Sequence, residues 1–178
     1  MKENQELREE NARLTREVTE RDESVLRYEQ QVATLAGFSS DRPLHKFAPV
    51  KLEIASLSGG ADYDGKPGDD GVTLHLRPLD ADGDVVKTPG KISILLQDTS
   101  VLGSPRVVAT CVYDDIEDVR QMWHGKFLTQ HFSVKCPFPA GLQLPATRKL
   151  LATAQFVDIA TGVTLTESQE VAFKMPAP

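Results

Sequence analysis

The sequence predicts a mainly β protein: an immunoglobulin-like antiparallel β-sandwich preceded by a long N-terminal α-helical coiled coil. Three observations support this fold class. Every Gly and every Pro of the 178 residues lies at or after Gly37, apolar residues before Gly37 recur in a seven-residue pattern, and apolar residues after Pro49 alternate with polar ones. Because a supercoiled helix repeats every seven residues and a half-buried strand every two, we divide the chain into a coiled-coil oligomerisation helix (1–36), a linker (37–49) and a sandwich (50–176).

The first segment numbers in heptads without a slip. We predict that its a and d positions form the oligomer interface, with Leu7, Asn11, Leu14, Val18, Val25, Tyr28, Val32 and Leu35 as the contact residues. Val at a with Leu at d, and Asn at an a position, favour a parallel dimer over a trimer. Arg21 and Tyr28 are poor d residues and weaken the seam. A trimer, a pairing with a different protein, and a single amphipathic helix folded onto the sandwich remain alternatives.

Seven segments after Pro49 have the composition and period of strands. They are VKLEIASL (50–57), GVTLHLRPL (71–79), KISILLQD (91–98), RVVATCVYD (106–114), KFLTQHFSVKC (126–136), RKLLATAQFVD (148–158) and LTESQEVAFKM (165–175). DADGD (80–84), TPG (88–90) and ATG (160–162) are turn sequences. DDIEDVRQMW (114–123) predicts a short helix with Ile116, Val119 and Trp123 on one face, placed at an end or edge of the sandwich. Seven or eight short strands with turns between them favour the immunoglobulin-like sandwich.

Part of the sandwich resembles a known family. The stretch DGVTLHLRPLDADGDVVKTPGKISILLQD (70–98), the helix ending in Trp123 and FVDIATGVTL (156–165) are similar to an uncharacterised family of bacterial envelope proteins. The resemblance implies a lipoprotein-type signal, a coiled coil and a sandwich on the periplasmic side of the cell envelope, lipid-anchored in the full-length protein. No reaction is assigned to that family. This sequence has no lipobox cysteine, and if Met1 is the natural start we expect a cytoplasmic protein.

Composition and motifs argue against several functions. The formal net charge is −6 and no Lys/Arg-rich run occurs, so we expect no nucleic-acid partner. No apolar run approaches the roughly 18 residues of a transmembrane helix. A Cys–His catalytic pair would need Cys111 with His124 or His131, but VVATCV is an apolar strand in which an inert thiol is expected. We therefore predict a non-enzymatic structural or interaction protein that presents its sandwiches to an unknown protein or surface ligand.

The alternative prediction is a calcium- or carbohydrate-binding module that uses two acidic loops. Their carboxylates are Asp62, Asp64, Asp69, Asp70, Asp80, Asp82 and Asp84. Calcium takes six to eight oxygen ligands, which two loops meeting at one end of the sandwich would supply. The spacing is not that of an EF-hand, since Val85 stands where Gly is needed. Calcium is the only cofactor that we predict, because the four histidines (His45, His75, His124 and His131) lack a paired metal-ligand spacing.

The sequence leaves open whether Cys111 and Cys136 are bridged. Bridging requires Cα atoms within about 4.4–6.8 Å, which a sequence does not specify. Because Cys111 lies in an apolar strand, we favour free thiols.

Overall fold

The protein is described by a computed structural model. It covers the backbone of residues 2–35, 47–100, 105–125, 129–145 and 147–175, and within the first range it describes side chains at 10 and 13–28 only. The chain divides into two units, Met1–His45 and Lys46–Pro178. Most of the predicted linker, residues 37–46, lies outside the described residues.

The N-terminal unit contains one helix, α1 (Lys2–Leu35). Ion pairs within the helix support it: Arg13 contacts Glu10 at 2.6 Å, and Arg21 contacts Glu17 at 2.9 Å. Pairs at these spacings stabilise a helix without any partner.

The coiled-coil part of the fold prediction is wrong. A coiled coil requires a second helix along the a/d seam, and the only other helix among the described residues has six residues. Along the predicted seam, Leu14, Val18, Val25 and Tyr28 are 45–67% exposed. The side chains of Leu7, Asn11, Val32 and Leu35 lie outside the described residues. Heptad spacing identified a helix that ion pairs within the chain support, and pairing of that helix as a dimer or a trimer stays a prediction.

The second unit is mainly β, with two antiparallel sheets. In chain order its elements are β1 (Lys51–Ile54), β2 (Gly59–Ala61), β3 (Gly71–Leu79), β4 (Gly90–Asp98), β5 (Arg106–Tyr113), α2 (Ile116–Gln121), β6 (Trp123–His124), β7 (His131–Pro137), β8 (Lys149–Asp158) and β9 (Thr164–Ala172). The first sheet has the order β1-β3-β7-β6, with β2 also paired to β3, and the second has the order β5-β4-β8-β9. These orders correspond to A-B-E-D and C′-C-F-G of an immunoglobulin-like sandwich.

Two strands were not predicted. β2 is Gly59–Ala61, which carries no apolar alternation, and β6 has only two residues. Trp123, predicted on the helix, instead begins β6, because α2 ends at its C-cap Met122 and Trp123 pairs with Phe132.

One hydrophobic core lies between the sheets. The inward residues alternate along each strand, as Val72, Leu74 and Leu76 do on β3, and all three are fully buried. The second sheet supplies residues such as Ile94 and Phe156 to the same core. Burying a large apolar side chain stabilises a fold by roughly 1.5–3 kcal/mol, so this alternation fixes which face of each strand points outward.

Cys111 and Cys136 form a disulfide, with their Cα atoms 5.6 Å apart. Our preference for free thiols was wrong. Cys111 lies on β5 at the edge of the second sheet, and Cys136 lies on β7 of the first. The bond therefore joins the two sheets at a position that only their packing creates. It does not correspond to the B–F bond of antibody domains, which joins other strands.

We predict that the disulfide contributes about 3 kcal/mol to stability. It closes a loop of 25 residues, and the loss of loop entropy in the unfolded chain gives an effect of that size. Urea unfolding with and without a thiol reductant measures it. A C111A/C136A variant serves as control, since its midpoint should not respond to reductant. Equal midpoints for the oxidised and reduced wild type would contradict the prediction.

Candidate functional site

The two acidic loops lie at opposite ends of the sandwich. Residues 62–70 precede β3, and residues 80–84 follow it. β3 has nine residues, so at about 3.4 Å per residue its ends are about 27 Å apart. The two loops therefore cannot form the shared calcium site that the sequence suggested.

Within the first loop, the structure brings Asp62, Asp64 and Asp70 together. One carboxylate oxygen from each lies within 4.8 Å of the others. These oxygens already accept hydrogen bonds. Asp62 accepts from the backbone N–H of Gly65 at 2.7 Å, and Asp64 is paired with the Lys66 ammonium at 2.8 Å. Turn formation accounts for these contacts, and calcium binding stays a prediction.

Asp69 and Asp80 have separate structural roles, whereas Asp82 and Asp84 are exposed in the loop after β3. Asp69 is buried and accepts from the backbone N–H of Lys174 at 2.5 Å. Asp80 accepts from the backbone N–H groups of Asp82 and Asp84 at 3.0 and 2.9 Å, which closes the turn between β3 and β4.

The other end of the sandwich holds an apolar pocket. We call it the α2 end: it comprises the loop 80–89, α2, β6 and the turn 159–163. A pocket of about 240 Å³ lies there between α2, the loop and the core. Its floor includes the buried Val119 and Phe132, and Ile116 beside them is 50% exposed. The cationic side chains of Lys87 and Arg120 also line it.

Helix α2 forms locally and places three of these residues. The Asp115 carboxylate caps its first turn, accepting from the backbone N–H of Glu117 at 2.8 Å and of Asp118 at 3.2 Å. Glu117 pairs with Arg120 on the exposed side. Because the Val119 side chain is buried in the core, α2 presents a defined face to the pocket.

A buried carboxylate holds the loop that forms the opposite wall. Asp158 is 0% exposed and accepts from the Thr88 hydroxyl at 2.5 Å and from the Thr161 backbone N–H at 3.2 Å. Next to Thr88, Gly90 lies so close to Phe156 that an added Cβ would be 2.2 Å from the ring. The chain at 88–90 therefore has little freedom, and the pocket is preformed.

Three of the four histidines meet on the outer face of the first sheet. His75 on β3 and His131 on β7 have ring centroids 4.5 Å apart, in an edge-to-face arrangement. His124 on β6 stacks on the other side of His131, at 5.6 Å. His45 lies outside the described residues. Chain spacing did not reveal this histidine cluster (His75, His124, His131), because strand pairing assembles it.

The surroundings depress the basicity of two of these rings. Burial lowers the pKa of His75, and the neighbouring His131 and His124 lower it further. Burial also lowers the pKa of His131, with further contributions from His124 and Arg77. Both imidazoles are therefore predominantly neutral at neutral pH.

A Cys–His catalytic pair at Cys111 is absent, since the Cys111 sulfur is bonded to Cys136.

No family model matches the chain, and no curated protein is significantly similar to it. The resemblance to envelope proteins thus stays a prediction. Among the described residues, no helix is both long enough and apolar enough to cross a membrane.

We predict that Asp158→Ala destabilises the protein by about 1–3 kcal/mol, because the buried Thr88 hydroxyl loses its acceptor. Urea unfolding measures the change. Asp82→Ala, at an exposed position in the loop after β3, should shift stability by less than about 0.5 kcal/mol. Equal effects of the two substitutions would contradict the role assigned to Asp158.

We predict that the histidine cluster makes stability fall as pH decreases below about 6.5, the usual histidine pKa. Folding lowers the pKa of His75 and His131, so the unfolded chain binds more protons in that range and unfolding becomes more favourable. Thermal unfolding between about pH 7.5 and about pH 5 covers this range. The H75Q/H131Q variant should lose part of the pH dependence that the wild type shows. An unchanged dependence in the double variant would refute the assignment.

Proposed function

We propose that this protein is a non-enzymatic interaction protein whose sandwich binds a partner protein at the α2 end. The preformed apolar pocket carries the proposal. Its walls are fixed by α2 and by the Asp158–Thr88 hydrogen bond, so binding would require little ordering of the site. Pre-organised sites lose less conformational entropy when they bind.

The size of the pocket favours one side chain over a whole small molecule. Its volume of about 240 Å³ is below the roughly 300–1,000 Å³ of most small-molecule sites. Interfaces between proteins commonly use one apolar or aromatic anchor in such a pocket, surrounded by polar contacts. An exposed Ile116 beside a buried Val119 provides apolar surface from rim to floor.

The charged side chains that line the pocket favour particular residues next to the partner's anchor side chain. Lys87 and Arg120 are cations in a chain whose formal net charge is −6, and Glu117 offsets the charge of Arg120. The Lys87 ammonium lies 5.7 Å from the Trp123 ring centroid, within the range of a cation–π contact. We therefore infer a partner segment in which an apolar residue neighbours Asp or Glu.

The disulfide supports a location outside the reducing cytoplasm. Such bonds persist in oxidising compartments, including the bacterial periplasm. Together with the resemblance of residues 70–98 to envelope proteins, it favours the cell envelope. It also leaves Cys111 without the free thiol that a Cys–His catalytic pair requires.

We predict that a displayed peptide library selected on the full chain yields binders with an apolar residue next to Asp or Glu. Ile116→Asp should weaken a selected peptide by about tenfold or more, since burying the anchor would now desolvate a charge. Val107→Asp is the matched control, because Val107 is 54% exposed and lies on β5, outside the pocket. Fluorescence anisotropy gives the affinities.

The proposal fails if the library yields no common motif, or if Ile116→Asp and Val107→Asp weaken binding equally. Arg120→Glu adds a separate test of the charge argument. It should reduce affinity for acidic peptides while leaving variants of those peptides with Asn or Gln less affected.

A further inference from the structure

The histidine cluster lies outside the pocket proposed for peptide binding. Three imidazoles from three adjacent strands lie side by side, with His131 in the middle. We propose that His75, His124 and His131 bind a divalent transition-metal ion of the zinc, copper or nickel class through their ring nitrogens. Imidazole is a preferred ligand of these ions, whereas calcium and magnesium require oxygen.

The sheet fixes two of the three ligands. His75 and His131 are half-buried on neighbouring strands. Their ring centroids are 4.5 Å apart in an edge-to-face arrangement, so rotation about the side-chain torsions is what aims one nitrogen of each ring at a shared ion. Nitrogen ligands bind zinc at about 2.0–2.1 Å, so the rings would remain neighbours when coordinated.

His124 must turn to complete the site. Its ring is stacked on His131 with an angle of 23° between the planes, and the three rings as placed do not each bring a nitrogen within 4.8 Å of the other two. His124 is exposed and lies on the two-residue strand β6. Rotation about its side-chain torsions therefore disturbs no core packing.

The surroundings suit an ion. The Ser133 hydroxyl lies 3.4 Å from His75 Nδ1. If Nδ1–H of His75 donates to this hydroxyl, Nε2 is unprotonated and available to the ion. Hydrogen bonds of this kind fix the tautomer of histidine ligands in metal sites. Arg77, whose charge acts on His131, pairs with Glu53 at 2.9 Å, which offsets its charge. An open cavity of about 400 Å³, lined by His124, Asp118 and Lys135 among others, gives an ion a route to His124.

Neutral rings make the site ready at neutral pH. A histidine nitrogen must be unprotonated to bind a metal ion. Since the pKa values of His75 and His131 are lowered, little proton release is needed. The proximity of the three rings, not this shift, is the basis of the proposal.

The test is calorimetric titration of the full chain, prepared without a histidine tag, with ZnCl2, CuCl2, NiCl2 and CaCl2. We expect one transition-metal ion per chain, copper binding more tightly than nickel or zinc, and no displacement by calcium. His131→Gln should weaken binding by at least about tenfold, as loss of a metal-ligand contact does. His45→Gln is the control, since it removes the one histidine of the chain that the proposal does not use, and it should leave the affinity unchanged.

Two further measurements separate the outcomes. His124→Gln alters only an exposed side chain and should weaken binding even if His131→Gln folds poorly, which circular dichroism reveals. Electron paramagnetic resonance of the copper-loaded protein should show nitrogen coupling that decreases in each cluster variant. The proposal is overturned if no transition metal binds, or if binding and nitrogen coupling are the same in the cluster variants and in His45→Gln. Either result would leave the peptide-binding proposal standing, because the pocket uses other residues.

Discussion

The sandwich depends on burying one apolar face from each of its two sheets in a common core. Leu74 and Leu76 on β3 meet Ile94 on β4 and Phe156 on β8 in that core, and all four are fully buried. Since each such side chain is worth roughly 1.5–3 kcal/mol on burial, a one-residue slip of any central strand would expose several of them at once. The inward pattern therefore determines the register of every strand and, with it, everything displayed outside.

The outward faces carry the functional candidates as a consequence of that register. His75 points outward because Leu74 and Leu76 point inward, and His131 points outward because Phe132 does not. Antiparallel pairing then places His131 opposite His124. The histidine cluster thus arises from core packing without any local sequence motif.

The two ends of the sandwich differ in how they are held. At the α2 end, the Asp158 carboxylate ties the loop before β4 to the turn after β8 through Thr88 and Thr161. At the other end, Asp69 ties the loop before β3 to Lys174 after β9. Asp69 lies in an acidic loop and Asp158 ends β8, and both are buried and stabilise the fold. Asp62 and Asp64, by contrast, are exposed. The composition of these segments does not show which carboxylates are buried.

The sequence by itself determined the helix at residues 2–35, the seven main strands to within a few residues, the short helix at α2 and the β-sandwich layout. Each of these is encoded by local periodicity or by capping and turn residues. Tertiary structure alone decided the disulfide, the separation of the acidic loops by β3, the unpredicted strand β6, the α2 pocket and the histidine cluster. The heptad pattern led to a wrong coiled coil for the same reason. Periodicity states which side of an element is apolar, while contact between residues distant in the chain depends on which elements pair, and that is determined by packing of the whole domain.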